Sequence, residues 1–127
     1  MNKTFILLFM LFCHIIDDYK IQSPVLANLK QREYWQANAP DELYKYDYIM
    51  ALIMHSLSWS FMVMLPIAIT MNFNIDIVFV SVFIVNAVLH GIIDDAKANR
   101  GLINLIIDQC LHLIQIVVTA LVLIYLR

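Results

Sequence analysis

The chain is poor in most of what a soluble, loop-rich domain is built from. Its 127 residues include two glycines and three prolines, too few for many turns or for a Pro- and Gly-rich disordered stretch. Only 14% of the residues are charged, against about 25% in ordinary soluble domains. Two cysteines, Cys13 and Cys110, are too few for a disulfide framework. Both lie in apolar segments, so they read as reduced thiols used for packing. The formal net charge is −2, and no basic patch interleaved with aromatics occurs, which leaves no electrostatic case for nucleic-acid binding. No internal repeat or low-complexity tract is present. What the sequence has in abundance is apolar surface: 62% hydrophobic residues and a mean hydropathy of +0.78. Long apolar runs of this kind point to helices in a bilayer.

The pattern predicts a single all-α domain over residues 1–127, a four-helix transmembrane bundle. Four spans fit, at about residues 3–21, 48–71, 75–94 and 102–126, each long enough to cross ~30 Å of hydrocarbon at ~1.5 Å per residue. Pro66 is expected to kink the second span. Asn72-Phe73-Asn74 and Ala96–Gly101 read as short turns between antiparallel neighbours. Lys3 and the apolar run to Phe12 resemble the start of a signal peptide, but no small-x-small cleavage site follows, so the segment is expected to be retained as a span.

Residues 23–47 form the only sizeable polar connection. Ser23-Pro24 has the form of a helix start, with Ser as the cap and Pro at the first helical position. A short interfacial helix is expected from there to about Gln36, and Pro40-Asp41-Glu42 marks a second start. Tyr34, Trp35, Tyr44, Tyr46 and Tyr48 suit a membrane–water boundary. The connector therefore reads as surface-lying rather than as a substrate lid. Lys20, Lys30, Arg32, Lys45, Lys97 and Arg100 gather on the connectors after spans one and three, whereas Lys3 and Arg127 lie on the other side. The positive-inside rule then puts both termini outside the cytoplasm.

Within this apolar background all four histidines stand inside the spans, and three of them lie one helical turn from an aspartate: His14 with Asp18, His90 with Asp94, and His112 with Asp108. A spacing of four puts both side chains on one helix face. In spans one and three His precedes Asp, and in the oppositely directed fourth span the order reverses. All three aspartates are therefore shallower and all three histidines deeper, at roughly 10–15 Å from the connector side, with His55 at about 10 Å. A lone intramembrane histidine, or one such pair, is ordinarily a hydrogen-bonded packing feature. Three pairs in register with a fourth histidine point instead to metal or proton chemistry.

His14, His55, His90 and His112 with Asp18, Asp94 and Asp108 supply four imidazoles and three carboxylates, enough for one or two divalent transition ions such as zinc, iron or manganese. Gln22, Asn104 and Gln109 are placed to support those ligands. Lys97, one turn beyond Asp94, is placed to meet an anionic group near the interface. Asp17 and Asp95 point about 100° off the motif face and read as interfacial or supporting residues. Ser56, Ser58 and Ser60 are expected to bond backbone carbonyls or neighbouring helices.

The strings His14-x-x-x-Asp18-Tyr19-x-x-Gln22, His90-x-x-x-Asp94-x-x-Lys97 and Asp108-Gln109-x-x-His112, with His55 between the first two, resemble those of a family of small bacterial and phage membrane proteins known only as a domain of unknown function. The resemblance covers the whole chain. More distantly, the chain is similar to inner-membrane proteins called metal-dependent hydrolases, which carry intramembrane His and Asp motifs. The resemblance implies a metal site in a bacterial inner-membrane protein, and no particular reaction.

These features lead to one expectation of function and two alternatives. The expectation is a metal-dependent hydrolase acting on a phosphate- or ester-containing lipid or membrane-associated substrate. Asp18, Asp94 and Asp108 would share ligand and general-base duties, and Lys97 would orient a phosphate. The first alternative is an ion or proton pathway through the same cluster. It calls for further polar residues in the outer half, where Asn86 and Gln115 are among the few. The second is a non-catalytic phage or host membrane factor in which metal is a structural staple.

Overall fold

The computed structural model describes residues 2–126, and among them no strand forms. Six α-helices follow in order: α1 Lys3–Ile16, α2 Pro24–Leu29, α3 Arg32–Asn38, α4 Asp47–Thr70, α5 Ile77–Ala98 and α6 Leu105–Ala120. A π-helical turn, Asp17–Ile21, extends α1, a second, Leu121–Tyr125, extends α6, and a 3₁₀ turn, Glu42–Tyr44, precedes α4. Met1 and Arg127 lie outside the described residues, so the place of Arg127 in the charge count belongs to the sequence alone.

Helix starts are set by short polar side chains. Asn2 accepts from the Thr4 amide at 2.9 Å, Ser23 from Leu26 at 3.1 Å, Asp76 from Phe79 at 2.9 Å and Asn104 from Ile107 at 2.9 Å. Each satisfies an amide that the first turn leaves without a partner. Asn104 is thereby a cap for α6 and not a support for the histidines.

The long helices α1, α4, α5 and α6 pack side by side, with α4 against both α1 and α5, and α6 against α5 and α1. The α4–α5 turn is made by Asn72 (φ 49°) and Phe73 (φ 58°) in the left-handed region, with the Phe73 amide bonded to the Ala68 carbonyl at 2.9 Å. Near the opposite end of this pair, Gly91 lets α5 approach α4 closely, since a Cβ there would stand 2.9 Å from Ser56 Oγ. The core holds Met10, Trp59, Val63, Met64, Ile67 and Ile116, all fully enclosed. The outward faces carry exposed Phe, Leu, Ile and Val throughout, as a bilayer requires and water does not tolerate.

Three helical stretches, Glu42–Thr70, Ile77–Ala98 and Leu105–Tyr125, are long and apolar enough to cross a membrane by length and composition. The four spans read from hydropathy thus reduce to three. The first falls short because α1 proper has only 14 residues, and its continuation is a π-turn carrying Asp17, Asp18 and Lys20. The third is longer than expected. α5 runs one turn past Asp94 to Ala98, so that Ala96–Gly101 is helix before it is turn.

The connector also differs. The single helix expected to about Gln36 is broken into α2 and α3 at Lys30-Gln31. Asn99 clamps the break, accepting from the Arg32 amide at 2.7 Å and donating through Nδ2 to the Lys30 carbonyl at 3.0 Å. The connector does not simply lie on the surface, for it sends Lys30 into the bundle, where that side chain is only 6% exposed. At the far end, Lys3 Nζ sits 4.7 Å from the Tyr125 ring centre, so the first and last helices finish side by side there.

Candidate metal centre

The connector-side end of the bundle is where the polar side chains of α1, α4, α5 and α6 converge. The floor is Trp59, whose indole stacks on His90 at 4.3 Å, and His90 stacks in turn on His112 at 4.2 Å. His55 faces His90 edge-on at 5.0 Å. These three histidines and the aspartates Asp18, Asp94 and Asp108 enclose a set of ligand atoms. His55 Nε2 lies 3.6 Å from Asp18 Oδ1 and 3.6 Å from Asp94 Oδ2, and His90 Nε2 lies 3.8 Å from Asp94 Oδ2. His112 Nε2 is 3.6 Å from Asp94 Oδ1 and 3.4 Å from Asp108 Oδ1. Two groups, Asp18/His55/His90 and His90/Asp94/His112, bring one ligand atom from each residue within 4.8 Å of one another.

Those separations are too long for good hydrogen bonds. They suit ligands of a shared ion, because two donors each ~2.1 Å from a metal at a tetrahedral angle stand about 3.4 Å apart. Asp18 Oδ1, His55 Nε2, both nitrogens of His90, both nitrogens of His112 and Asp108 Oδ1 are buried with no hydrogen-bond partner among the described residues. Buried polar atoms left so cost about 1–3 kcal/mol each, and a bound ion or water is the ordinary resolution. Charge leads to the same place. Asp94 pairs with Lys30 and Asp108 with Lys97, and with neutral imidazoles the carboxylates of Asp17 and Asp18 have no lysine beside them. A divalent cation fits that remainder.

His14 stands apart from both ligand groups. Its Nδ1 accepts the Trp59 indole N–H at 2.8 Å, which leaves the ring proton on Nε2 to donate to Gln109 Oε1 at 3.2 Å. An indole can only donate, so this direction is forced. Gln109 then turns its amide N–H groups to Asp18 Oδ2 at 3.3 Å and Asp108 Oδ2 at 3.1 Å. Both nitrogens of His14 are therefore engaged, and the residue read as a ligand from sequence acts here as a support for two carboxylates. Gln109 fills the supporting role expected of it, and Gln22 accepts from Lys30 at 3.0 Å.

Asp17 is wholly buried, accepting from Ser58 Oγ at 2.7 Å and facing His55 Nδ1 at 3.6 Å. Asp17 lies seven residues after Met10 and three after His14, so the α-helical repeat itself carries it onto the buried face of α1. Asp95 pairs outward with Arg100 at 2.7 Å and Asn99 at 2.9 Å. Lys97 bonds Asp108 Oδ2 at 2.6 Å with its side chain one-third exposed. Ser56 bonds the Leu52 carbonyl at 2.7 Å. Cys13, buried, and Cys110, exposed, are both free.

Two contributors escape a reading of the sequence. Lys30 reaches Asp94 Oδ2 at 2.5 Å from the connector, and Trp59 is the floor. A tryptophan one turn after His55 was the available signal for Trp59, since the spacing puts both on one face. Nothing local signalled Lys30.

The fold and site define an all-helical protein with membrane-length helices and a buried His/Asp cluster suited to a metal ion. The chain belongs to the family described as Protein of unknown function (DUF3307), whose model matches residues 6–127. No curated protein and no solved structure matches it.

Proposed function

We propose that the protein is a membrane-embedded metal-dependent hydrolase acting on a phosphate- or ester-containing lipid or membrane-associated substrate. The observation that carries this reading is the set of unpartnered His and Asp atoms facing one another at 3.4–3.6 Å inside the bundle. Asp18, His55, His90, Asp94 and His112 would hold one or two ions, with Asp108 beside them. The mixture of imidazole and carboxylate favours zinc, iron or manganese over calcium or magnesium. Such an ion supplies Lewis-acid activation of water and of a phosphoryl or carbonyl oxygen.

The chain's own groups supply the rest. Asp108 Oδ1 and Asp18 Oδ1 are carboxylate oxygens without hydrogen-bond donors, and whichever does not bind the ion is positioned to take a proton from water. Gln109 fixes both carboxylates from the outer side, and His14 fixes Gln109. Lys97, partly exposed beside Asp108, is placed to orient an anionic group. The Lys/Arg bias supports putting this end of the bundle at the cytoplasmic face of a bacterial inner membrane, with both chain ends outside.

Below the histidines, Met10, Trp59, Val63 and Ile116 close the bundle. The polar residues deeper down bond one another: Gln115 Nε2 donates to Asn86 Oδ1 at 2.8 Å and Asn86 Nδ2 to Thr119 at 2.9 Å. A packed layer of this kind favours a one-sided site over a conducting path. The test is reconstituted protein presented with lipid extracts, read by mass spectrometry, beside an ion-flux assay on the same vesicles. Metal-dependent lipid conversion that is lost in Asp108→Asn is the expected result. Metal-dependent flux without conversion would replace the hydrolase with an ion pathway. Bound metal with neither activity would leave a structural role.

A further inference from the structure

We infer that Lys30 is an internal competitor for the cation of this site, so that loading the site expels its ammonium group and exposes it at the connector. The inference rests on the metal reading above and adds to it the residue that decides which cations enter.

Lys30 is the one buried residue among those from Gln22 to Tyr46. Burying a lysine is costly unless it is paired, and its partner is the carboxylate at the centre of the cluster. Asp94 Oδ2 accepts from Lys30 Nζ at 2.5 Å, and the same oxygen lies 3.6 Å from His55 Nε2 and 3.8 Å from His90 Nε2. A metal ion in the His90/Asp94/His112 group that is ligated through that oxygen would share it with an ammonium. Two cations on one oxygen at low local dielectric repel strongly, so one must leave.

The geometry says which part moves. The Lys30 backbone is fixed on both sides of the helix break by Asn99, through the Arg32 amide and the Lys30 carbonyl. The long side chain is fixed only at its end, by Asp94 and by Gln22 Oε1 at 3.0 Å. Gln22 is part-buried, at the connector edge of the site. The ammonium can therefore swing outward on its four-carbon stem, keep Gln22 as acceptor and give up Asp94, with the connector backbone in place. A monovalent ion, no more highly charged than the ammonium, gains nothing by the exchange. A divalent ion gains the carboxylate and the imidazoles together, so Lys30 biases the site toward divalent transition metals.

Zinc is the probe. Lys30→Met keeps the apolar stem and removes the charge, and it should bind zinc at least about tenfold more tightly than wild type in a metal-buffered titration of detergent-purified protein. In wild type, an amine-reactive label should modify Lys30 slowly without zinc and faster with it, with exposed Lys45 as the internal reference, read by peptide mass spectrometry. This second measurement does not depend on the variant folding. Unchanged zinc affinity in folded Lys30→Met, or Lys30 labelling indifferent to zinc, overturns the competitor role while leaving the metal site standing, provided His90→Ala still loses zinc. Zinc bound equally poorly by wild type and His90→Ala overturns both.

Discussion

Replacing Asp94 by Asn strikes the residue that most of the cluster shares. Its Oδ2 faces His55 Nε2 at 3.6 Å and His90 Nε2 at 3.8 Å, its Oδ1 faces His112 Nε2 at 3.6 Å, and Lys30 is bound to it. Asparagine keeps the shape and one acceptor oxygen and removes one unit of charge. At an effective dielectric of ~20, a unit charge about 4 Å from another is worth roughly 4 kcal/mol. A divalent ion at ligand distance feels the loss more strongly. Against this, the ammonium of Lys30 is held less firmly in the variant and is easier to displace. Letting that offset about half of the loss leaves roughly 2–3 kcal/mol, or about a hundredfold at ~1.4 kcal/mol per tenfold.

The assay is competitive zinc titration in detergent against a chelator of known affinity, with elemental analysis after gel filtration. Stability should fall as well, because a buried pair that loses one charge costs up to about 3–5 kcal/mol. The amide oxygen that still accepts from Lys30 keeps the cost toward the lower end of that range. The double variant Asp94→Asn/Lys30→Met should regain part of the thermal stability and, with the competing ammonium gone, a part of the zinc affinity that stays short of wild type. A folded Asp94→Asn protein that binds zinc as wild type does would refute the assignment of Asp94 to the centre of the site.

Other substitutions probe the surroundings. Trp59→Phe removes the indole donor 2.8 Å from His14 Nδ1 and leaves that nitrogen buried without a donor, so thermal unfolding in detergent should show a loss of about 1–3 kcal/mol. Unchanged stability would mean that His14 finds another partner. Gly91→Val should push α5 away from α4, because even a Cβ meets Ser56 Oγ at 2.9 Å. Reduced zinc binding together with a lower Tm is expected, and wild-type values for both would show that the close approach is dispensable. Asn86→Leu breaks the bonds to Gln115 and Thr119 beneath the site. It should lower stability by about 1–3 kcal/mol with zinc affinity intact, and a matching loss of zinc would tie that network to the centre. A reporter active only in the cytoplasm, fused at the carboxyl end, should stay silent, and strong activity would turn the site end outward.

The sequence by itself determined the helical class and most of the histidines and aspartates that meet in the cluster. Spacing of four on a helix is a local property, and His90 with Asp94 and Asp108 with His112 sit at 3.8 Å and 3.4 Å in the structure as that spacing demands. The reversed order in α6 located the layer, because opposed helices that share a site must mirror their motifs. Composition also bounded the spans, although α1, cut short by a charged π-turn, does not reach the length and apolarity of the other three.

Only the tertiary structure decided which member of each pair is free to bind. His14 and His90 stand in similar strings, yet His14 is occupied by Trp59 and Gln109, residues 45 and 95 positions away. His90 has neither nitrogen bonded among the described residues. Asp17 is buried because α4 packs over the face it shares with Met10, where Ser58 donates to it, and the sequence alone does not say which face α4 covers. Lys30 lies 64 positions from Asp94. As one positive residue in a polar connector it counts in the sequence toward membrane orientation. The Asn99 clamp and the helix break aim it at the cluster, and both arise from contacts between segments far apart in the chain. Local periodicity sets which residues share a face of one helix, whereas the partner of each donor and acceptor is set by the packing of different helices against one another.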